Sequence, residues 1–180
     1  MTESGVRVRP RARICELRAV VGAGAQFGEK ACHLAVAAPE RMVHAIDPSP
    51  SNVGKIEQQF GRHLPNLKIR AAGMGRQVGK MKARDKSFEM PVGAEFDVLT
   101  LDSMFFNKGK RLGFAHLDVE GLELDVLNGG AQTITHSKPI FTAEIRVHKE
   151  PAFTSKLLDF IDSIGYDAYV IDEVCGCPML

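Results

Sequence analysis

"AVVGAGAQFGEKACHLA", residues 19–35, carries the transition on which the fold turns. The apolar run from Leu17 to Val21 has the length and composition of a buried strand. Gly22, Gly24 and Gly28 follow. Phe27, Ala31, Leu34, Ala35 and Ala38 then recur at helical spacing until Pro39 closes the helix. A strand that passes through glycines into a helix opens a βαβ unit. Such a turn serves either close packing of strand on helix or a loop whose backbone N–H groups face a nucleotide-like ligand. The glycines spell GxGxxxG, with Phe27 where the dinucleotide fingerprint carries its third glycine. That weakens the case for a pyrophosphate seated on the helix N-terminus.

Outward from this stretch the alternation continues. Met42 to Ile46 is the expected second strand. Ser49-Pro50 has the pattern of an N-cap and first helical residue, and Val53, Ile56 and Phe60 form the buried stripe of that helix. Leu67 to Ala72 is the third strand. From Gly73 to Ala94 the pattern dissolves, and Arg76, Lys80, Lys82, Arg84 and Lys86 make the stretch basic. It reads as a solvated loop or a poorly paired hairpin, with an acidic substrate as the weaker alternative. Phe96 to Leu101 is extended and ends in Asp102. Phe114 to Val119 is a strand, followed by a short helix through Leu124, Val126 and Leu127 that stops at Gly129-Gly130. Pro139 to Ile145 is the next strand. Thr154 is the expected cap of a helix bearing Leu157, Leu158, Ile161 and Ile164, with Gly165 as its stop. Tyr166 to Ile171 is the last strand. The sum is an α/β chain: a Rossmann-like three-layer αβα sandwich around a mostly parallel sheet.

The 180 residues fit one domain, expected over 15–180, behind a basic flexible arm over 1–14 that holds Arg7, Arg9, Arg11 and Arg13. A remnant of an organelle-targeting peptide is the minority reading of that arm. A net charge of +1 provides no global field for nucleic acid or anionic membrane, so no nucleic-acid partner is expected. No apolar run reaches the length of a membrane span. Cys15, Cys32, Cys175 and Cys177 match neither a zinc-ligand spacing nor a disulfide framework, which suits a reduced, cytoplasmic protein with no metal.

Asp47 ends the second strand about twenty residues after Gly24, where a carboxylate can accept two hydrogen bonds from ribose hydroxyls. A turn aspartate before proline is the plainer alternative for "IDPSPSN". Loop and carboxylate together favour a nucleoside cofactor. S-adenosyl-L-methionine fits better than NAD, because it has a ribose but no phosphate, and its zwitterionic end calls for backbone N–H groups and nearby carboxylates. The expected cofactor-binding set is Gly22, Gly24, Ala25, Gly28, Asp47, Pro48, Ala72 and Asp118.

"AHLDVEGLELDVLNGG", residues 115–130, is the second informative stretch. In a strand, Asp118 and Glu120 point the same way, toward the mouth of a parallel sheet. Helix capping is the structural alternative, strongest for Glu120 and Glu123. Here the chain resembles the FkbM family of methyltransferases, a branch of the class I S-adenosylmethionine-dependent fold. "GAQFG" is similar to that family's Gly-Ala-x-x-Gly loop, and "HAIDPSPSN" to its acid-Pro-x-Pro segment. "LTLDSMF" is similar to its Thr-Leu-Asp-Ser element, "LDVEGLELDVLNGG" to its Asp-Val-Glu-Gly-x-Glu signature, and "KPIFTAEI" to its strand ending in glutamate, here Glu144. The resemblance covers residues 19–169. It departs at Gly22, where the family usually has an acid that helps hold the methionine end of the cofactor. It departs again at the C-terminus, where the antiparallel hairpin that normally ends the sheet is expected to be truncated.

The resemblance implies methyl transfer from S-adenosyl-L-methionine, with O-methylation of a hydroxylated small molecule or sugar as the expected reaction. Asp118 is expected to face the cofactor amino group or the acceptor. Glu120, Glu144 and His148 are candidates for orienting or deprotonating the acceptor. His148 reads equally well as an exposed loop residue, and His116 as a satisfied core histidine. Asp102 is open between an orienting role and a turn. A divalent metal on Asp118 and Glu120 lacks a third ligand. Two other functions stand beside the first: a catalytically silent methyltransferase-like binding domain, and an NAD-dependent oxidoreductase.

Overall fold

The computed structural model describes residues 18–26, 28–144, 151–171 and 178–179. His148 and the expected arm over 1–14 lie outside the described residues. Residues Leu17–Glu144 form one compact unit, and the elements from Pro151 onward belong to a second.

The larger unit begins with β1 (Ala19–Ala23), two residues later than the apolar run suggests, and α1 (Glu29–Ala37). Next come β2 (Val43–Asp47), and α2 (Pro50–Ile56), which runs on into a single π turn over Glu57–Gly61. Ser49 is the N-cap of α2: its hydroxyl accepts from the Asn52 N–H, and Pro50 opens the helix as expected. β3 (Leu67–Ala71) completes the first half of the sheet.

The stretch after β3 departs from expectation. It holds β4 (Gly73–Met74), β5 (Gly79–Lys82) and β6 (Glu95–Leu99), which form their own three-stranded sheet in the order β4-β6-β5. β5 runs antiparallel to β6, so part of the basic segment is a paired hairpin arm, and the expected strand at 96–101 belongs to this small sheet. In β5 the exposed Lys80 and Lys82 hide the period-two pattern. Asp102 does not end a strand. It sits in α3 (Leu101–Met104), which Thr100 and Ser103 close with a reciprocal capping box.

β7 (Leu112–Leu117) returns to the main sheet, followed by α4 (Glu123–Asn128), α5 (Ala131–Ser137) and β8 (Ile140–Ala143). Gly129-Gly130 therefore does not end the helical segment but breaks it into two, and α5 went unread from sequence. The main sheet has the order β3-β2-β1-β7-β8 with every pair parallel. The strand order reverses at β1, which puts the crevice of a doubly wound sheet beyond the carboxyl ends of β1, β2 and β7. β1 and β2 are buried at every position, as central strands covered on both faces must be.

One core cluster, Val20, Ala31, Ala35, Val43, Ala45, Ile56 and Leu67, seats α1 and α2 on the sheet. A second, Ala83, Phe88, Phe96, Val98 and Leu122, ties the small sheet to the segment after β7. In the second unit, α6 (Pro151–Ser163) starts three residues before Thr154, so Thr154 lies within the helix and is not its cap. Pro151 suits a first turn, where its missing N–H costs nothing. The expected last strand shortens to β9 (Val170–Ile171), which pairs antiparallel with β10 (Pro178–Met179). An antiparallel strand pair is thus present where truncation was expected. Among the described residues no helix is long and apolar enough to cross a membrane.

Candidate active site

β1 ends in a turn that only glycine can make at position 24. Gly24 has φ +74, and a Cβ there would overlap the carbonyl of Asp118. The Gly24 and Ala25 N–H groups both donate to the Ile46 carbonyl (3.0 and 3.1 Å), and the Asp118 N–H donates to the Ala23 carbonyl (3.1 Å). These bonds draw the ends of β1, β2 and β7 together. Gly28, also at positive φ, is the N-cap of α1 and packs its bare Cα against Ile56.

Between the strand ends lies a solvent-open hollow. Gly24, Asp47, Pro48, Ala72, Asp118 and Glu120 line it, six of the residues singled out from sequence. Gly22 lies within buried β1, and Ala25 packs against the first core cluster; neither lines the hollow, nor does Gly28. Glu144 follows β8, its N–H on the Leu117 carbonyl at 3.0 Å, and stands apart from the hollow.

Asp47 is 4% exposed and already occupied. Its Oδ1 accepts from the Ser49 N–H (2.9 Å) and the Asn52 side-chain amide (3.2 Å), and its Oδ2 from the Gln26 N–H (2.8 Å). Burial pushes the carboxyl up from its ordinary range, and the three hydrogen bonds pull it back. With Oδ1 filled, only Oδ2 keeps a position for a ligand hydroxyl. The two acceptor positions expected on Asp47 are thus reduced to one.

The strand alternation expected for Asp118 and Glu120 does not hold, because β7 stops at Leu117 and Glu120 adopts φ +55. Their convergence on the hollow comes from the turn instead. Glu123 builds that turn: buried in α4, its Oε1 accepts from the Val119 N–H at 3.0 Å and the Gly121 N–H at 3.4 Å. Burial raises its carboxyl, against those bonds. Asp118 is partly exposed, and its Oδ2 pairs with Lys30 Nζ at 3.3 Å.

Of the four non-glycine residues with positive φ among the described residues, Gln26, Glu89 and Glu120 line the hollow, and the fourth, Lys138, ends α5. Backbone conformations of that kind cost free energy and persist where surrounding structure imposes them, which is frequent at functional sites. Glu89 comes from the segment after β5, as do the wall residues Phe88 and, from β6, Phe96. No sequence signal marked them. The Ser49 hydroxyl, which donates to the Glu89 carbonyl at 3.1 Å, anchors that segment at the hollow.

Asp102 is settled as a structural residue. Its carboxylate accepts from the N–H groups of Gln132 (3.2 Å) and Thr133 (2.7 Å), capping the first turn of α5 from across the fold. His116 sits mid-strand with Nδ1 at 2.8 Å from the Thr142 hydroxyl, as a core histidine should.

Residues 22–168 match the family model described as the methyltransferase FkbM domain. The fold is similar to a crystal structure of methyltransferase FkbM from Methylobacillus flagellatus KT, with a TM-score of 0.60 and 21% identity over 82% of this chain. The match covers 36% of that protein's chain, so the present chain spans about a third of its length. No curated protein matches. Four-fifths of the chain falls within one family match, and the chain belongs to the FkbM methyltransferase domain family.

Proposed function

We propose that the hollow binds S-adenosyl-L-methionine and that the chain transfers its methyl group to an oxygen of a hydroxylated small molecule or sugar. The observation that carries this reading is the charge of the wall. Asp47, Glu89, Asp118 and Glu120 line the hollow, and among the described residues no lysine or arginine does. Four carboxylates suit a ligand with an ammonium and a sulfonium, and repel the diphosphate of a dinucleotide. That disfavours the NAD-dependent oxidoreductase.

The residues fit the cofactor: the bare Gly24 leaves space a Cβ would fill, and Asp47 Oδ2 has one acceptor position for a ribose hydroxyl. Phe88, Phe96 and Met74 offer an apolar wall for a base. When bound, the cofactor supplies a methyl carbon already activated by its sulfonium, so alignment accounts for much of the rate. Asp118 holds the ammonium end. Glu120, at the rim on a strained backbone, orients the acceptor hydroxyl and takes its proton.

A catalytically silent binding domain is the second reading, favoured by two observations. Gly22 leaves the end of β1 without a carboxylate, and Lys30 already occupies Asp118. Calorimetric titration separates the readings. Micromolar binding of S-adenosyl-L-methionine with none of NAD, and methylated products in an extract supplied with protein and cofactor, support methyl transfer. Cofactor binding without any methylated product favours the silent domain, and NAD binding alone defeats both.

A further inference from the structure

Away from the hollow, β3 forms one edge of the main sheet and presents Lys68 and Arg70 to solvent. In the parallel register Lys68 lies beside His44 and Arg70 beside Ile46, so both cations share the face that carries the His44 ring. On that face the His44 ring meets Phe105 edge-on, with centroids 5.6 Å apart. The chain then folds back over Phe105: the N–H groups of Lys108 and Lys110 both donate to its carbonyl, at 3.0 and 2.9 Å. Two lysines from this turn and two cations from the strand thus surround one imidazole. Lys68, Arg70, Lys108 and Lys110 are exposed, and none makes an ion pair or side-chain hydrogen bond among the described residues.

His44 lies at the centre of this group. It is 7% exposed, and its Nδ1 is closed to solvent, so the ring senses the charges around it without touching a ligand on the outer face. We propose that Lys68, Arg70, Lys108 and Lys110, grouped around His44, form a binding site for an oligophosphate, an anion with two or more linked phosphate groups. Lys68 and Arg70 stand about 6–7 Å apart along the strand, farther than one carboxylate spans and within the reach of linked phosphates. Four uncompensated cations on a chain whose net charge is only +1 mark a local field, not a global one, which favours a compact polyanion over a long nucleic acid. The same field explains why His44 is held neutral: burial first, then Arg70, Lys110, Lys108 and Lys68, lower it to about 4. A bound polyanion reverses those charge contributions.

The test uses inorganic tripolyphosphate at physiological ionic strength, with calorimetry and the NMR titration of the His44 ring. Saturable binding is expected, with the His44 midpoint rising by about one unit or more. The Lys68→Gln/Arg70→Gln and Lys108→Gln/Lys110→Gln variants should each weaken binding by about tenfold or more while retaining wild-type melting temperatures. ATP binding at least as tightly identifies a nucleotide as the source of the phosphates; tripolyphosphate binding alone identifies the free anion. Absence of saturable binding overturns the site, as does binding that both double variants leave unchanged. A strong preference for duplex DNA over tripolyphosphate overturns it in favour of a nucleic-acid surface. S-adenosyl-L-methionine affinity should be unaffected by either variant, which separates this site from the hollow.

Discussion

The backbone carbonyl of Asp118 occupies the space that a side chain on Gly24 would need. Two residues ninety-four positions apart (118 − 24) are thereby held in contact at the reversal point of the sheet, each from a segment whose pattern stood out in the chain.

Gly24→Ala should destabilise the fold by about 2 kcal/mol or more, since the new methyl meets backbone and the residue keeps a positive φ. Gly22→Ala is the control. Its nearest neighbour would be the Ala31 Cβ at 3.7 Å, an ordinary contact, so a change below about 1 kcal/mol is expected. Denaturant unfolding of the two variants measures the contrast.

Asp47→Ala should weaken S-adenosyl-L-methionine binding more than tenfold and also destabilise the protein by about 1–3 kcal/mol. The second effect arises because the Gln26, Ser49 and Asn52 donors lose their acceptor. Equal affinity in wild type and variant by calorimetry would remove Asp47 from the site.

Asp102→Ala should cost about 1–2 kcal/mol through loss of the α5 cap, with cofactor affinity unchanged. A loss of affinity without a loss of stability would restore Asp102 to an orienting role.

Lys30→Gln should tighten cofactor binding by about two- to fivefold, the scale of an exposed ion pair, because Asp118 is released for the ligand ammonium. Weaker binding would show that Lys30 contacts the cofactor itself.

Stability should depend on pH through His44. Its ordinary value of 6.5 applies to the unfolded chain, and the folded value is about 4. Between these the unfolded state binds more protons, so stability is complete above pH 6.5 and falls as pH drops toward 4, by on the order of 2 kcal/mol. His44→Phe keeps an aromatic ring against Phe105 and should flatten that part of the profile in urea denaturation.

The parallel α/β architecture was legible because buried strands and amphipathic helices leave different periods in the chain, and β1, α1, β2, α2 and β3 fell within about two residues of their patterns. Of the small sheet only β6 was legible, as the extended run from Phe96. In β5 exposed lysines flank a single partly buried Met81, and β4 has only two residues, too few to show a period. α5 was missed because Gly129-Gly130 is a stop signal locally. The distant Asp102 carboxylate caps the helix that follows it.

At the hollow the division is similar. Residue type and spacing along the chain determined that Gly24, Asp47, Asp118 and Glu120 matter, since tight turns and strand ends restrict what can stand there. Tertiary structure alone decided that Asp47 has one acceptor position left instead of two, that Glu123 shapes the turn presenting Asp118 and Glu120, and that Glu89 and Phe88 join them. Those outcomes depend on hydrogen bonds and contacts between segments far apart in sequence, and a local pattern holds no record of which donor reaches which carboxylate.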